Sequence, residues 1–344
     1  MKQKQFNGMR SLLVTAFLLL SFGVFYSCQK NYSASSNSEG EVMTPIKTDR
    51  LLSVANVYKT EGGKTFEAWF YETPVVFEFS TTGPNAERYF EMLKNAKDNN
   101  EVVNVRLNSN ISNQIDAIIA PTAEQITVHK AEVAIREKEV VAKISPPDGD
   151  KEGSTNLTGV IPNMATLNTI FNKIKTQCCK STGPYIYGQC IPFQYVADGC
   201  YARAQKMRQV IESYYGYTSY KIFNYACNAA GTLAVKATLW NNNCCVRWWY
   251  HVTSWVYVQE GSSQKAYAID PAMFTGPVSI STWIAAQKNT SCGYNGGTQT
   301  QLYYTSNAYN LSNSNNCTIV VYGDNGYTSA NTTCAAYATK QGCF

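Results

Sequence analysis

Cysteine is distributed unevenly along this chain of 344 residues, and that distribution constrains the fold more than any other feature of the sequence. Eleven of the twelve cysteines lie after residue 156, and the remaining one, Cys28, lies near the N-terminus. Cysteine-rich units are typical of proteins that fold in an oxidising compartment, where disulfides persist. The sequence therefore predicts a disulfide-stabilised second half, preceded by a segment that folds without disulfides.

The charge of the chain changes at the same place as its cysteine content. Residues 28–156 carry 14 basic and 19 acidic side chains, a net charge of −5, whereas residues 157–344 carry 12 and 5, a net charge of +7. Between these units, residues 145–156 form a polar run with proline and glycine, which predicts an exposed, protease-sensitive linker. This layout favours a pro-enzyme; two permanent domains are the alternative.

The N-terminus has the pattern of an export signal. Lys2, Lys4 and Arg10 precede an apolar run over residues 12–26 that is short for a membrane span. Cys28 follows this run in a loose bacterial lipoprotein box, so we expect either a lipid anchor at Cys28 or ordinary signal cleavage. The protein is therefore predicted to be secreted or held at the cell surface. The predicted organisation is an export signal at 1–28, an inhibitory pro-region at 29–144, a cleavable linker at 145–156 and a mature catalytic domain at 157–344.

Hydrophobic periodicity predicts an α+β fold for both units. In the second unit, residues 200–215 have helical spacing. Strand-like runs separated by turns rich in Asn, Gly and Ser follow over residues 217–269, and residues 246–258 are predicted to form one continuous strand. A cysteine-bearing helix followed by an antiparallel sheet is the order of a papain-like or transglutaminase-like core, here preceded by a small α+β pro-domain.

Three residues of the second unit have the chemistry of a nucleophilic site: Cys200, His251 and Asp270. Cys200 is predicted at or near a helix N-terminus, where the helix dipole lowers the pKa of a thiol. His251 is the only imidazole of the second unit, because the chain's other histidine, His129, is predicted to lie on the surface of the pro-region. Asp270 ends the next strand, from which its carboxylate could orient the imidazole.

Each of these residues also has an ordinary structural interpretation. Cys200 could be half of a disulfide, His251 a packed residue and Asp270 a turn residue. Eleven cysteines cannot all pair with one another, so one is expected to stay unpaired, and Cys200 is the best candidate because of its position at a helix start. The other ten could form up to five disulfides, whose connectivity the sequence does not assign.

Two pairs of adjacent cysteines, Cys178-Cys179 and Cys244-Cys245, are expected to bond to separate partners. A zinc site is disfavoured, since one histidine among oxidised cysteines is a poor ligand set. We expect no metal and no cofactor.

Several strings of the second unit match a known family, among them Asp198-Gly199-Cys200-Tyr201-Ala202-Arg203-Ala204, Tyr250-His251-Val252, Ile269-Asp270-Pro271 and Asn289-Thr290-Ser291-Cys292-Gly293. Through these strings, residues 157–344 resemble the bacterial secreted protein-glutaminases, which deamidate glutamine side chains within proteins. The resemblance implies that Cys200 is the nucleophile, His251 the acid and base, and Asp270 the residue that orients the imidazole. It also implies a thioester that water hydrolyses to glutamate after ammonia has left, without a cofactor.

The resemblance also implies a zymogen whose mature form starts near Leu157. The expected partners are proteins with accessible glutamines, the chain's own pro-region as inhibitor and an activating protease; nucleic acid is not expected, and the protein is expected to be a monomer. Residues 74–77 of the pro-region are expected to fill the cleft. Within the site, the backbone N–H of Cys200 is expected to bind the oxyanion with a second donor from residues 196–198.

Aromatic residues near the predicted site could form the walls of a slot for a glutamine side chain. Tyr201, Trp249 and Phe274 are the candidates, with core packing as the alternative for each.

Other functions use the same three residues. A transglutaminase resolves the thioester with an amine, and a cysteine protease attacks a backbone amide. A surface-anchored binding module in which Cys200 is a disulfide half is the non-enzymatic alternative.

Overall fold

Strands and helices from both halves of the chain build one α+β structure in this computed structural model, as the hydrophobic pattern predicts. The structure describes residues 49–108, 113–136, 141, 143–147, 151–152, 159–226, 231–295, 299–312, 320–324 and 326–343. The predicted export signal with Cys28 and the predicted mature start at Leu157 lie outside the described residues.

The strands are β1 (Asp49–Lys59), β2 (Thr65–Phe70), β3 (Thr73–Ser80), β4 (Val102–Leu107), β5 (Ile115–Ile119), β6 (Lys151–Glu152), β7 (Tyr220–Ala226), β8 (Leu233–Ala237), β9 (Cys244–Trp248), β10 (Tyr250–Glu260), β11 (Ser263–Ile269), β12 (Val278–Ser279), β13 (Gln299–Tyr304), β14 (Ala308–Ser312) and β15 (Val320–Gly323). The α-helices are α1 (Ala86–Asp98), α2 (Ala123–Arg136), α3 (Met164–Lys175), α4 (Cys200–Gln209), α5 (Ile280–Ala285) and α6 (Thr328–Tyr337).

One antiparallel sheet continues from the pro-region into the second half of the chain. Its strand order is β5-β4-β1-β2-β3-β9-β8, so five strands come from the pro-region and two from the later unit. The junction is short: Val75 of β3 pairs with Trp248 of β9, and the Trp249 N–H donates to the Pro74 carbonyl at 2.9 Å. Residues 73–77 are fully buried there, as suits a run rich in valine and phenylalanine inside a sheet.

The second sheet carries most of the predicted site. Its order is β12-β11-β10-β7-β13, and β10 lies at its centre with residues 250–256 buried on both faces. Helix α4 packs on β10, where Ser254 Oγ donates to the Ala204 carbonyl at 2.9 Å. Two residues of the predicted linker, Lys151 and Glu152, add to β11 as the short strand β6.

The prediction of one strand over residues 246–258 is wrong, because the chain changes sheets at Trp249. Residues up to Trp248 pair with β8, whereas Tyr250 and its successors pair with β7 and β11. Trp249 itself turns to the pro-region: its backbone N–H binds Pro74, and its indole Nε1 donates to the carbonyls of Phe70 and Thr73. The hydrophobic run shows no sign of this break, since both strands are buried.

The second unit opens on a capped helix. Asn163 caps α3, since its Oδ1 accepts the Thr166 N–H at 2.9 Å. The buried face of this helix consists of Leu167, Ile170, Phe171 and Ile174, the apolar positions of its period.

Hydrophobic packing joins the pro-region to the later unit as well. The largest cluster of buried residues contains Trp69, Tyr71 and Val76 of the pro-region together with Cys200 and Trp249. A second cluster lies entirely within the pro-region. The pro-region therefore has a core of its own and also completes the core around Cys200.

Three disulfides join described cysteines: Cys179–Cys190, Cys244–Cys343 and Cys245–Cys292. The adjacent Cys244 and Cys245 bond to separate partners, as expected, whereas of Cys178 and Cys179 only Cys179 forms a disulfide. Such bridges indicate a protein that folds in an oxidising compartment outside the cytoplasm. Within the described ranges, no helix is long and apolar enough to cross a membrane.

The expectation that Cys200 is the single unpaired cysteine is wrong. Cys178 and Cys334 are also free and buried. The Cys178 thiol donates to Gln194 Oε1 at 3.5 Å, and Cys334 lies in α6, which packs on α4. Cysteine number alone does not single out Cys200, because a buried thiol can act as a small apolar side chain. Cys227 and Cys317 lie outside the described residues.

Candidate active site

Cys200 is the first residue of α4 and is fully buried. The residue before it, Gly199, has φ of 77°, and a Cβ at that position would lie 2.8 Å from the Tyr337 ring. A left-handed backbone and this close contact together require glycine. The predicted helix start is therefore correct, and it places the thiol beside the unpaired N–H groups of the first turn.

The surroundings of the Cys200 thiol favour its protonated form. Burial raises its pKa to about 12, although Arg203, one turn along α4, and a hydrogen bond from the Val252 backbone both act to lower it. The sequence predicted a lowered pKa from the helix dipole, and burial outweighs that effect here. Because Val252 directly follows His251, this backbone contact also places Cys200 next to the histidine on β10.

His251 and Asp270 form a buried pair. His251 Nε2 lies 2.8 Å from Asp270 Oδ2, and both side chains are almost inaccessible. Neighbouring strands produce this contact, since β10 and β11 pair with Ser254 opposite Ile269. The Thr253 hydroxyl donates to the Ile269 carbonyl at 2.6 Å and so fixes the chain just before Asp270.

Two tryptophans that the sequence analysis did not single out enclose this pair. The Trp248 ring stacks on the His251 ring at 4.4 Å, and the Trp283 ring also stacks on it, with 5.4 Å between the ring centroids. The Trp283 Nε1 also donates to Asp270 Oδ2 at 2.9 Å. A buried indole needs an acceptor, which was the available signal, but the sequence does not show which carboxylate α5 would meet.

The protonation states of the pair follow from its surroundings. Burial lowers the pKa of His251, although the Asp270 carboxylate acts to raise it. Burial would raise the pKa of Asp270, yet the hydrogen bonds from His251 and Trp283 hold it below its ordinary value. A neutral imidazole beside a carboxylate must carry its proton on Nε2, which leaves Nδ1 as a basic lone pair.

His251 Nδ1 is buried and has no hydrogen-bond partner among the described residues. The structure therefore brings His251 and Asp270 into direct contact, and it places Cys200 beside the backbone that follows His251 without a hydrogen bond between thiol and imidazole. The second histidine, His129, is partly buried on α2, with Nε2 3.1 Å from the Ser53 hydroxyl.

The turn before Cys200 is fixed by hydrogen bonds. Asp198 accepts the Gly199 N–H at 2.6 Å and the Tyr337 hydroxyl at 2.7 Å, and Arg50 of the pro-region approaches it at 3.9 Å. The Val196 N–H donates to the Gly342 carbonyl, which removes it from the predicted range of oxyanion donors. Positions 197 and 198 remain in that range.

Of the three aromatic residues predicted to form a substrate slot, two contact the pro-region side of the site. The Trp249 ring stacks on Trp69 at 6.1 Å, in addition to its indole hydrogen bonds to the pro-region. Tyr201 lines a cavity of about 330 Å³ together with Arg50 and Glu72. Phe274 belongs to a separate cluster with Trp283 and is half-buried.

Charged groups also join the two units. The Arg247 guanidinium on β9 donates to Glu67 at 2.7 Å and to Glu78 at 2.8 Å, two carboxylates of the pro-region. No group of three His, Cys, Asp or Glu side chains in the described residues is arranged to hold a metal ion.

Comparison with known proteins relates this arrangement to one class of enzyme. A family model described as glutaminase matches residues 167–287, a range that contains Cys200, His251 and Asp270. No curated protein sequence matches the chain. This match indicates the class of enzyme, a glutaminase, and its range includes the helix-borne Cys200, His251 on β10 and Asp270 directly after β11.

Comparison with solved structures identifies the family of this chain. The structure of pro-protein-glutaminase is 30% identical with a TM-score of 0.65, and the match covers 86% of this chain and 95% of that one. A mutant of pro-protein-glutaminase matches at 31% identity with the same coverage and TM-score. The NMR structure of protein-glutaminase from Chryseobacterium proteolyticum is 37% identical over 54% of this chain and 93% of that one, with a TM-score of 0.45. The chain belongs to the protein-glutaminase family and is an enzyme with the layout of a pro-enzyme.

Proposed function

We propose that this enzyme hydrolyses the side-chain amide of protein-bound glutamine to glutamate and ammonia through a thioester on Cys200. The observation that carries the proposal is the buried contact of 2.8 Å between His251 Nε2 and Asp270 Oδ2. The residue after His251, Val252, forms a backbone hydrogen bond with the Cys200 thiol. Family membership supports the glutamine substrate.

The first half of the reaction transfers the acyl group. His251 Nδ1 takes the proton of the Cys200 thiol, and the thiolate attacks the carboxamide carbon. The protonated imidazole then gives its proton to the leaving nitrogen, and ammonia departs as the thioester forms. The Cys200 N–H at the helix start is the first oxyanion donor, and a backbone N–H at position 197 or 198 is the candidate for the second.

The second half consumes one water. His251 removes a proton from the water, whose oxygen attacks the thioester carbon, and the regenerated thiol leaves with glutamate as the product. Throughout both halves, Asp270 keeps the proton of the imidazole on Nε2 and stabilises its charged form. The sum is amide plus water giving acid plus ammonia.

We propose further that the pro-region keeps this site inactive. Three contacts support this: the pairing of Val75 with Trp248, the Trp249 hydrogen bonds to residues 70–74, and the inclusion of Val76 in the buried cluster that contains Cys200. A thiol whose pKa is raised to about 12 by burial is not nucleophilic near neutral pH. Removal of the pro-region would expose the thiol to water and lower that pKa.

Activation is proposed to occur by proteolysis in the linker at residues 145–156, which would give a mature enzyme from near Leu157. Export by the signal at 1–28, a lipid anchor at Cys28 before maturation and a monomeric active form complete the proposal. N-terminal sequencing and mass measurement of the secreted protein before and after protease treatment test the processing. An intact linker in the fully active protein would contradict it.

The test of the reaction is ammonia release from a glutamine-containing protein by the protease-activated enzyme, with mass spectrometry of the substrate. We expect the mass change of an amide converted to an acid, and no release from Cys200→Ala. Cross-linked substrate chains would indicate a transglutaminase and shortened ones a protease. Undiminished release by Cys200→Ala would exclude Cys200 as the nucleophile.

A further inference from the structure

Arg247 joins the second unit to the pro-region through two charge-assisted hydrogen bonds. It lies on β9, one residue before Trp248, and its two terminal amino groups donate separately to Glu67 and Glu78. Its side chain is 27% exposed, so these contacts are only partly screened by water. Charge-assisted pairs of this kind have defined geometry as well as strength.

In the described structure, the second unit has no carboxylate that pairs with Arg247 in place of Glu67 and Glu78. It has five acidic residues, all of them described, and none contacts Arg247 in the described structure. Their neighbours are other groups, namely Tyr337 for Asp198, Arg208 for Glu212, Lys265 for Glu260, His251 for Asp270 and the Ala330 N–H for Asp324. After the pro-region leaves, Arg247 keeps the Thr232 hydroxyl as a hydrogen-bond acceptor, 3.3 Å from its Nη2.

The edge of β9 that pairs with the pro-region ends at Trp248, three residues before His251 of the candidate active site. Without β3, the Trp249 N–H that now binds the Pro74 carbonyl is unpaired at the end of an edge strand. That position lies two residues before His251, and the neighbouring Trp248 ring stacks on the imidazole at 4.4 Å. An extended peptide can add to such an edge through its main chain and present alternate side chains to the enzyme.

We propose that Arg247 is a specificity-determining residue that favours glutamines followed by an acidic side chain in an extended segment of the substrate. This inference rests on the proposed deamidation. Along β3, Pro74 meets Trp249 and Glu78 meets Arg247, a separation of four positions. At the rise of a strand this is about 13 Å. In the proposed complex, the substrate runs along β9 as β3 does, with its glutamine at the position of Pro74. The selected acidic residue then takes the position of Glu78, about four residues to the C-terminal side of the glutamine.

The experiment uses the full-length protein activated by limited proteolysis and short peptides that contain one glutamine. The peptides carry Glu, Ala or Lys at the fourth position after the glutamine, and a second set moves the Glu along the peptide. We expect kcat/KM about three- to fivefold higher for Glu than for Ala, the size of one partly exposed ion pair, with Lys below both. High salt should reduce the difference.

Variants at Arg247 separate its effect from the net charge of the enzyme. Arg247→Gln should remove the preference, and Arg247→Glu should reverse it in favour of Lys peptides. The matched control is Lys236→Gln, which removes one positive charge from an exposed residue of the adjacent strand β8. It should keep the preference of the wild type.

Three outcomes overturn the inference, and two of them leave the proposed reaction standing. Deamidation of all peptides at equal rates, or an undiminished Glu preference in Arg247→Gln and Arg247→Glu, would show that Arg247 does not select the substrate, while the proposed reaction would stand. If the activated protein deamidated neither peptides nor proteins, the proposed function would fail and this inference with it.

Discussion

Trp283 donates its indole N–H to the same carboxylate oxygen of Asp270 that lies 2.8 Å from His251. The carboxylate is thereby fixed from two directions, and its position determines which nitrogen of the imidazole carries the proton. Helix α5 therefore belongs to the candidate catalytic apparatus, although it contributes no group that would touch substrate.

Trp283→Phe tests this positioning role. The change removes one hydrogen bond to a charged group, an interaction of about 1.5–3 kcal/mol, while it keeps an aromatic ring against His251. We expect kcat of the activated enzyme to fall by about tenfold with little change in KM, since one lost interaction of this size corresponds to roughly that factor. The pH profile should also shift, because the pKa of Asp270 would rise.

The control for this variant is Trp255→Phe. Trp255 is equally buried, and its indole nitrogen has no hydrogen-bond partner among the described residues. Its replacement should lower stability slightly and leave the pH profile of kcat unchanged. Equal effects of the two variants would mean that Trp283 acts only through packing.

Val75→Lys should make the uncleaved precursor active. Val75 is buried where β3 meets Trp248, and a lysine there would bury a charge without a partner, so the junction should open. We expect ammonia release by the precursor to rise severalfold above the wild-type precursor. Val128→Lys, at a residue of α2 that is 54% exposed, is the matched control and should leave the precursor inactive.

A silent Val75→Lys precursor that still folds, as judged by circular dichroism, would argue against inhibition through this strand. The activated form of the variant should match the wild type, because the substituted strand is then no longer present.

Thiol alkylation should report the state of the zymogen. With the pKa of the Cys200 thiol raised to about 12, the precursor should react with iodoacetamide very slowly at neutral pH, and the rate should increase as the pH rises towards that value. After activation, the same cysteine should react at neutral pH. Peptide mapping identifies the labelled residue, and the buried Cys334, whose pKa burial also raises to about 12, provides an internal comparison.

Rapid alkylation of Cys200 in the intact precursor at neutral pH would show that the pro-region does not hold the thiol protonated. Labelling of Cys334 in step with Cys200 on activation would instead indicate general loosening of the fold.

The His251–Asp270 pair should make the precursor less stable in acid. The pKa of His251 is lowered from 6.5 and that of Asp270 from 3.8, so the unfolded chain binds more protons than the folded chain below each of these values. Stability therefore falls as the pH drops, first below about 6.5 through His251 and then below about 3.8 through Asp270. Urea midpoints measured between about pH 7.5 and 5.5 give the first slope.

His251→Gln should flatten this first slope, and His129→Gln, which removes the chain's other histidine, should retain it. An unchanged slope in His251→Gln would assign the acid sensitivity to other groups.

Much of the site was predictable because its signals are local in the chain. The helical spacing after Cys200 predicted a helix that starts at or near it, and α4 begins at Cys200. The scarcity of histidine left His251 as the only imidazole for the second unit, and Asp270 was expected a hairpin away, where β10 and β11 bring the two together. The catalytic roles of these residues remain a proposal.

Other features depended on contacts between distant segments. The break at Trp249 was missed because an apolar run looks the same whether it serves one sheet or two. Trp283 was missed because its hydrogen bond to Asp270 depends on where α5 packs. Cysteine counting failed for Cys178 and Cys334, since a buried thiol in a tight core needs no partner.

The sequence alone determined the division of the chain into an acidic unit and a cysteine-rich basic unit, the α+β class, and the three residues of the candidate site, because composition, periodicity and residue chemistry are properties of the chain itself. Only the tertiary structure decided that β3 of the first unit pairs with β9 of the second, that Arg247 binds two pro-region carboxylates, and that Cys200 is buried. Burial and long-range pairing depend on which surfaces meet. For that reason the same thiol that the helix dipole would activate has a raised pKa in the precursor.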